Sequence, residues 1–381
     1  MSERHSKLLD ILRQASAAKI IDLPDADLGR AETEPFPFLA IVGQTEMKLA
    51  LTLSLINPEV GGVLLIGPRG TAKTTAVRSL ADLLPTVKNS LCVHGCTEEM
   101  IEQFGMDGVC NDCATKFGHG EPLTTLDKVR IFELPLNARL EDVVGGINER
   151  VALEQNRVRL ERGILGHADR HILYIDEVNL LDDTITDAIL DAAAQGHYTV
   201  RRGPLKMSYN ARLMLIGSMN PEEGRLRPQL MDRFGLRAVV RGLDDSALRY
   251  QAYERAMAYK RQPELFAATF ADGTLALAEE IQQARDRLPG VTVSDAAREL
   301  GLALVEKLTI DSNRAEITLF EAARAHAAAD ERDEVLPGDV QAVALLALRQ
   351  RQSPELAKFF ADQSEEDAVL TAVFNAKMPD S

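Results

Sequence analysis

Residues 67–74 read Gly67-Pro68-Arg69-Gly70-Thr71-Ala72-Lys73-Thr74, and this stretch decides the fold. It follows a short apolar run at residues 62–66 and precedes a helical pattern that begins at Thr75. A glycine-rich loop between a strand and a helix turns backbone N–H groups towards phosphates, and the helix N-terminus adds its positive end. In such a loop, Lys73 would reach the β- and γ-phosphates, and Thr74 would hold Mg²⁺ through its hydroxyl. We therefore predict a nucleotide-binding loop over residues 67–75.

The loop departs from its usual pattern at Ala72, because a glycine normally precedes the lysine. The methyl group of alanine fits right-handed helical geometry and is awkward where φ must be positive. We expect the alanine to be tolerated. An ordinary glycine turn before a helix is the alternative interpretation of the stretch.

Two further apolar runs, residues 171–175 and 212–217, suit strands buried on both faces of a parallel sheet covered by helices. The first run ends in Asp176 and Glu177. Asp176 is expected to hold Mg²⁺, and Glu177 to polarise the attacking water. The alternative without a catalytic role is an acidic pair that caps the next helix, and a phosphate loop earlier in the chain argues against it.

Asn220 follows the third apolar run, where the water and the γ-phosphate should lie. We predict that its side chain positions this water, the role called sensor 1. Asn220 also begins an Asn-Pro turn, and both interpretations can hold together.

Two arginines are candidates for contacts with the transferring phosphoryl group. Arg233 is predicted to be an arginine finger, which stabilises charge on that group and is commonly supplied in trans. This role implies a ring in which each site lies between subunits. Arg314 opens a helix of the second domain and is predicted to contact the γ-phosphate from the lid, as a sensor 2. An exposed arginine without a role is the default alternative for each.

Composition limits the class of protein. The chain has 381 residues, of which 45% are apolar and 27% charged, so a sizeable core can form. A formal charge of −15 disfavours nucleic acid and anionic membranes as partners. No apolar run approaches the roughly 20 residues of a membrane span, and the N-terminus lacks the apolar core of a signal peptide. We predict a cytoplasmic protein, or a mature organellar one.

The patterns divide the chain into four parts. Residues 1–34 are predicted to form a helical arm and linker, and residues 35–240 an α/β core with a parallel sheet between helices. Residues 241–352 carry alanine, leucine, glutamate and arginine at helical spacing, which predicts an all-helical lid domain. Residues 353–381 are predicted to form an acidic, loosely packed tail.

The four cysteines, Cys92, Cys96, Cys110 and Cys113, fall within one insertion at residues 90–120. In a reducing compartment such clustering indicates a metal before it indicates disulfides. Two closely spaced pairs separated by a loop suit a tetrahedral, structural Zn²⁺ site without an open coordination position. An iron–sulfur cluster and redox-active or free thiols are the alternatives.

These motifs together resemble the ATP-hydrolysing I subunit of magnesium chelatase, an AAA+ protein. The resemblance covers residues 37–351 and is carried by three stretches, 38–51, 175–183 and 217–236. The first includes Ile41 and Val42, which are assigned to the nucleotide site by this resemblance. The four-cysteine insertion is not part of the family pattern.

The resemblance implies a six-membered ATPase ring that works with a D-type subunit and a porphyrin-binding H-type subunit. ATP hydrolysis would drive Mg²⁺ insertion into protoporphyrin IX, with the porphyrin bound by the H-type subunit. A predicted hairpin over residues 198–207 has a charged tip, and in ring ATPases such hairpins face the centre. Its Arg201, Arg202 and Lys206 are therefore candidate partner contacts, although a solvated hairpin without a role is the alternative.

Two other functions remain open from the residues. A MoxR-like or cobalt-chelatase-like AAA+ ATPase would act on a different metal-insertion client. A DNA-remodelling ring ATPase would need a DNA-binding surface, and the acidic charge balance argues against one. A scaffold without catalysis is the weakest option, because Lys73, Glu177 and Arg233 are all present.

Overall fold

The computed structural model describes residues 35–351, except 85, 93, 148–159, 204 and 225, together with Leu8 and Asp10. Almost all of the predicted N-terminal arm and the whole acidic tail therefore lie outside the described residues. Leu8 is buried, and its backbone N–H donates to Asp330 Oδ1 at 3.2 Å. The beginning of the chain thus contacts the helical region near its end.

The strands of the described residues fall into one five-stranded sheet and four two-stranded ones. They are β1 (Val63–Ile66), β2 (Thr86–Ser90), β3 (Thr124–Lys128), β4 (Ile131–Leu134), β5 (Gly145–Ile147), β6 (Leu160–Arg162), β7 (Ile172–Ile175), β8 (His197–Arg202), β9 (Leu205–Asn210), β10 (Met214–Met219), β11 (Leu236–Val239), β12 (Thr292–Val293) and β13 (Glu334–Val335).

The central sheet has the strand order β11-β1-β10-β7-β4, and all its pairings are parallel. Three of its strands are the three apolar runs of the sequence, at residues 63–66, 172–175 and 214–219, and each is buried along its whole length. Side chains alternate between the two faces, because successive Cβ atoms of a strand point in opposite directions. The parallel sheet and the burial of these three strands were predicted, and both are confirmed.

The α-helices of the described residues cover the sheet and build the region after it. They are α1 (Thr45–Ile56), α2 (Lys73–Arg78), α3 (Glu98–Phe104), α4 (Asn111–Gly118), α5 (Leu140–Val144), α6 (Ile164–His167), α7 (Asp183–Gln195), α8 (Pro228–Arg233), α9 (Ser246–Arg261), α10 (Pro263–Ala268), α11 (Ala271–Arg287), α12 (Asp295–Lys307), α13 (Arg314–Ala329) and α14 (Pro337–Leu348). Short 3₁₀ turns occur at Phe38–Ala40, Pro58–Val60, Ser79–Leu83, Met106–Gly108, Val178–Leu180, Pro221–Glu223 and Leu288–Gly290.

Each face of the sheet has its own apolar core. Val63 and Leu65 of β1 pack in a core with α1, α11, α13 and α14, whereas Leu64 and Ile66 pack in a core with α5 and α7. Burial of one such aliphatic side chain contributes roughly 1.5–3 kcal/mol. The first core runs without interruption from the sheet into the lid helices, so the lid packs directly on the ATPase core.

The prediction that the lid is all-helical is wrong in one detail. Strands β12 and β13 form a parallel pair just before α12 and α14, with Thr292 opposite Glu334 and Val293 opposite Val335. A pairing of two residues is too short to produce an alternating apolar pattern in the sequence.

Three antiparallel ribbons project from the core. The β2–β3 pair forms the stem of the four-cysteine insertion, and β5–β6 lies within residues 143–165, of which 148–159 are outside the described residues. The predicted hairpin is formed by β8 and β9, with Arg201 opposite Lys206, and it extends to Asn210. No helix of the described part is both long enough and apolar enough to cross a membrane.

Candidate active site

The phosphate loop lies at the carboxyl-terminal edge of the central sheet. It leaves β1 at Gly67, whose backbone N–H donates to the carbonyl of Met219 at the end of β10, at 3.1 Å. A Cβ atom at Gly67 would lie 2.0 Å from the carbonyl oxygen of Val240, so only glycine fits this close backbone approach. The loop is thereby fixed where β1, β7 and β10 all end.

Lys73 is buried at the first position of α2. Its ammonium group donates to the carbonyls of Gly67 at 2.7 Å and Pro68 at 2.8 Å, so it lies curled inside the loop. Burial lowers the pKa of Lys73, and the nearby charges of Asp176 and Glu177 oppose this shift. The ammonium group is therefore inside the predicted phosphate site.

Ala72 adopts a left-handed conformation, with φ 67° and ψ 21°. The right-handed geometry in which a methyl group would fit freely is therefore not the one observed. In the left-handed region, Cβ crowds the following carbonyl, at a cost of roughly 1–2 kcal/mol for a residue other than glycine. The fold accommodates alanine at this position with local backbone strain.

Asp176 and Thr74, the two predicted magnesium ligands, meet across the loop. Thr74 Oγ1 donates to Asp176 Oδ2 at 2.9 Å, and Ser218 donates to the other carboxylate oxygen. Burial would raise the pKa of Asp176, but hydrogen bonds from Ser218, Thr74 and Tyr174 outweigh it and lower the pKa. An ionised carboxylate beside a hydroxyl is a donor set that suits Mg²⁺.

Glu177 follows Asp176 in a left-handed conformation, with φ 53°. Its backbone N–H donates to Ser218 Oγ at 3.2 Å, and its carboxylate forms an ion pair with Arg69 at 3.0 Å. Non-glycine residues in this region cluster at functional sites, where the surrounding structure holds them. The turn directs the Glu177 side chain to the loop and not into the next helix.

Asn220 is 4% exposed at the end of β10. Its Nδ2 donates to Glu223 Oε1 at 3.0 Å, and its Oδ1 accepts the backbone N–H of Glu222 at 3.3 Å. Glu223 also pairs with Arg69 at 2.6 Å. Sequence reasoning missed Glu223 and Ser218, although the polar Ser218 in a buried strand was a signal for the latter.

A cavity of about 190 Å³ unites most of the predicted residues. Its lining consists of residues 69–75 with Asp176, Glu177, Ser218, Met219 and Asn220. Ile41 and Val42, which were also assigned to the nucleotide site, are buried, but they do not line this cavity. The loop, the acidic pair and Asn220 are thus brought together by the fold.

Arg233 and Arg314 lie at the opposite, amino-terminal edge of the sheet. They line a second cavity of about 1300 Å³ together with Gly62, Leu213 and Gly235, each of which directly precedes or adjoins the start of a sheet strand. The fold therefore does not bring Arg233 or Arg314 to the phosphate loop of their own chain.

The two arginines differ in their contacts at this edge. Arg314 Nη1 pairs with Asp232 Oδ2 at 2.9 Å. Within the described residues, the side chain of Arg233 makes no hydrogen bond or ion pair, and it lines the cavity at this edge.

Comparison with known proteins now identifies the family. Over 324 residues, the chain is 44% identical to the magnesium-chelatase subunit ChlI homolog of Methanocaldococcus jannaschii, with 84% of this chain and 86% of that protein covered. This chain belongs to the magnesium-chelatase ChlI family. It is also 38% identical to subunit ChlI of Mesostigma viride over 332 residues, which cover 87% of this chain and 91% of the relative.

The domain matches agree with the ChlI-family assignment. The family model for the MCM P-loop domain matches residues 148–240, and the model for the AAA lid domain matches residues 303–373. A proposed ATPase from Cytophaga hutchinsonii shares the fold, with a TM-score of 0.51 at 20% identity over 82% of this chain and 83% of that one. The chain is an AAA+ ATPase subunit with a parallel core and a helical lid, as predicted.

The four cysteines of this ChlI-family chain converge in the insertion. Their sulfur atoms all lie within 4.8 Å of one another, and Cys92 Sγ is 4.0 Å from Cys110 Sγ. Tetrahedral Zn–S bonds of about 2.3 Å place sulfurs about 3.8 Å apart, so the cluster is close to this spacing. The backbone N–H groups of His94 and Cys110 donate to Cys92 Sγ at 3.2 Å and Cys96 Sγ at 3.3 Å.

Hydrogen bonding within the cluster lowers the pKa of one thiol and raises that of its partner. A hydrogen bond from the Cys96 thiol lowers the pKa of Cys92, and the same bond raises the pKa of Cys96. Burial raises the pKa of Cys113. Among these three thiols, Cys92 ionises most readily.

A second group of possible ligands, His326, Asp330 and Asp339, lies in the lid. Here Arg332 supplies the cation, since it pairs with Asp330 at 3.2 Å and with Asp339 Oδ2 at 2.6 Å. The guanidinium neutralises these carboxylates, and the group is a largely buried ion-pair network.

Proposed function

We propose that the chain is the ATP-hydrolysing motor of a magnesium-chelatase-like complex. In this function it drives Mg²⁺ insertion into protoporphyrin IX through D-type and H-type partner subunits. One observation carries the proposal: Lys73, Thr74, Asp176, Glu177 and Asn220 line one cavity in a chain that belongs to the ChlI family.

The geometry supports a role for each residue around the loop. The ammonium group of Lys73 would exchange the carbonyls of Gly67 and Pro68 for the β- and γ-phosphates. Thr74 and Asp176 would hold Mg²⁺, which neutralises phosphate charge when bound. Glu177 would accept a proton from the attacking water, and Asn220 would orient that water.

Arg233 and Arg314 support a closed ring. Because both lie at the sheet edge opposite the loop, they can reach a phosphate only in another subunit. Head-to-tail contacts that place this edge against the loop of the next copy generate a ring when the rotation closes. We propose a hexamer in which Arg233, with Arg314 beside it, completes the site of the neighbouring subunit.

We also propose that the four cysteines hold one structural Zn²⁺. The sulfur spacing and the N–H···S hydrogen bonds support a site with four thiolate ligands. Because no coordination position stays open, this ion would stabilise the insertion and take no part in hydrolysis.

The β8–β9 hairpin offers a contact for a partner. Near its tip Arg201 lies opposite Lys206, and Arg202, next to the turn, forms an exposed ion pair with Glu141 of α5 at 3.4 Å. The net charge of −15 does not favour nucleic acid as that partner. The cytoplasmic location stays a prediction from the sequence.

Reconstitution tests the proposed client. The full chain is mixed with candidate D-type and H-type subunits, protoporphyrin IX, ATP and Mg²⁺, and porphyrin absorbance is followed. We expect the spectrum of the Mg²⁺ porphyrin to appear only with ATP, and not with the Lys73→Ala variant. ATP hydrolysis without any spectral change would assign the motor to a different client and contradict the porphyrin function.

A further inference from the structure

Glu223 does not line the nucleotide cavity, but it contacts Asn220 and Arg69, which do, and it has no role in the functions described so far. It ends the 3₁₀ turn that follows β10, and its side chain is 22% exposed. One carboxylate oxygen, Oε1, accepts from Asn220 Nδ2 at 3.0 Å and pairs with Arg69 Nε at 2.6 Å. The other, Oε2, is buried and has no partner among the described residues. The contacts of this carboxylate are therefore made to two side chains, Asn220 and Arg69.

The contact with Glu223 determines how the Asn220 amide is oriented. Oδ1 of Asn220 faces the N–H of Glu222, and Nδ2 faces the carboxylate of Glu223. If the amide were flipped, Oδ1 would face the Glu223 carboxylate, and Nδ2 would face the N–H of Glu222. The first contact would pair two acceptors and the second two donors, so the observed orientation is strongly preferred. An amide nitrogen has two N–H groups. One is used by Glu223, and the other is left for a group in the cavity that Asn220 lines.

The contact with Arg69 joins Glu223 to Glu177. The guanidinium bridges both carboxylates, at 2.6 Å and 3.0 Å. The Arg69 side chain is 71% exposed, so its ion pairs are screened and exchange easily. Glu223 thus contacts both the amide expected to orient water and the cation beside the carboxylate expected to accept its proton.

We propose that Glu223 is a positioning residue for ATP hydrolysis. It holds the Asn220 amide with one N–H directed to the phosphate cavity, and its screened contact with Arg69 is a minor part of this role. The proposal rests on the role of Asn220 given above, and it adds that Asn220 acts only in the orientation that Glu223 sets. Glu223 itself touches neither ATP nor water.

A double-mutant cycle on the full chain tests this dependence, with kcat and KM for MgATP as readouts. Glu223→Met has similar length and no oxygen, and it should lower kcat on the order of 10-fold while KM changes less than about 3-fold. In an Asn220→Ala background, the same substitution should change kcat less than about 2-fold, because the amide it orients is already gone.

A conservative replacement of Glu223 separates its effect on the orientation of Asn220 from the effect of its charge. Glu223→Gln keeps an oxygen that accepts from Asn220 but loses the ionic contact with Arg69, so its kcat should be within about 3-fold of the wild type. Glu299→Ala removes an exposed acid on α12 and serves as the control, with unchanged kcat. Circular dichroism and thermal melting establish that each variant is folded.

Four results would overturn the proposal. They are an equal effect of Glu223→Met in both backgrounds, a rise in KM without a fall in kcat, a Gln variant as slow as the Met variant, and an Asn220→Ala variant with normal kcat. The last result would also remove the role of Asn220 proposed above, whereas the first three would contradict only the role of Glu223. If Glu223→Met does not fold, Glu223→Ala takes its place in both backgrounds, with the same expected results.

Discussion

The two edges of the central sheet carry different halves of the proposed catalytic site. At the carboxyl-terminal edge, a cavity of about 190 Å³ is lined by the loop lysine and the acidic residues. At the amino-terminal edge, a cavity of about 1300 Å³ is lined by Arg233 and Arg314. The sheet separates the two cavities within one chain. In the proposed function, the acid–base chemistry is therefore contained in one subunit, and the charge stabilisation requires a second copy.

The largest effect is expected at the carboxyl-terminal edge, from Glu177→Gln. Loss of the carboxylate should lower the rate of phosphate release by about 10²–10⁴-fold, the usual contribution of a general base. Binding of ATP should persist, since Lys73 and the loop amides are unchanged. Phosphate release and equilibrium binding of a fluorescent nucleotide measure the two quantities. Lys73→Ala is the comparison variant, in which binding should fail too, and normal turnover of Glu177→Gln would contradict this assignment.

Mixing of inactive variants tests whether the two edges meet between subunits. Glu177→Gln and Arg233→Ala subunits should each be inactive alone. Mixed in equal amounts, they should form some interfaces with an intact Glu177 on one side and an intact Arg233 on the other. Random head-to-tail assembly predicts about a quarter of such interfaces, and hence a gain of activity on mixing.

The control for mixing replaces an arginine away from both cavities. Arg249→Ala, on the exposed face of α9, should have normal activity alone and should not complement Glu177→Gln beyond simple dilution. If the two inactive variants remain inactive after mixing, with rings demonstrated by sedimentation, Arg233 does not act across the interface.

The sequence predicted the carboxyl-terminal edge better than the amino-terminal one. The loop, Asp176 and Glu177 could be placed because buried parallel strands produce continuous apolar runs, and their ends meet at one edge. The bridge from Arg69 to Glu177 and Glu223 could not be predicted, since it depends on how three side chains from distant parts of the chain are oriented.

Arg314 and Ala72 show two other limits of the sequence. The motif around Arg314 suggested a phosphate contact but did not say in which subunit. The position of Arg314 at the amino-terminal edge, where it pairs with Asp232, depends on long-range packing that a local motif does not reveal. The positive φ of Ala72 was left conditional, since alanine gives no local signal for the left-handed region.

An intermediate effect is expected in the cysteine insertion, which is attached by β2 and β3 outside the central sheet. Cys113→Ser should abolish binding of about one zinc per chain and make residues 86–128 sensitive to protease, because structural Zn²⁺ contributes on the order of 10 kcal/mol to its fold. ATP affinity should change less than about 3-fold, since the loop and carboxylates are elsewhere.

Metal analysis, limited proteolysis and nucleotide binding provide the measurements, and Ala114→Ser on α4 is the control. Lowering the pH should release the zinc, because protons compete with the metal for thiolates. A protein with four freely titratable thiols at neutral pH and no zinc would contradict the proposal.

The smallest effect is expected in the loop region, where an Ala→Gly substitution should change the free energy of unfolding in opposite directions at two nearby positions. Ala72→Gly removes the crowding of Cβ at φ 67° but increases the freedom of the unfolded chain, so we expect a net stabilisation of up to about 1 kcal/mol. Ala76→Gly, one turn later in α2, places glycine in right-handed helix and in the buried core, and it should destabilise by about 1 kcal/mol or more. Equilibrium unfolding in denaturant measures both. A loss of stability in both variants would mean that the backbone at Ala72 is unstrained, and the usual glycine would then have no advantage there.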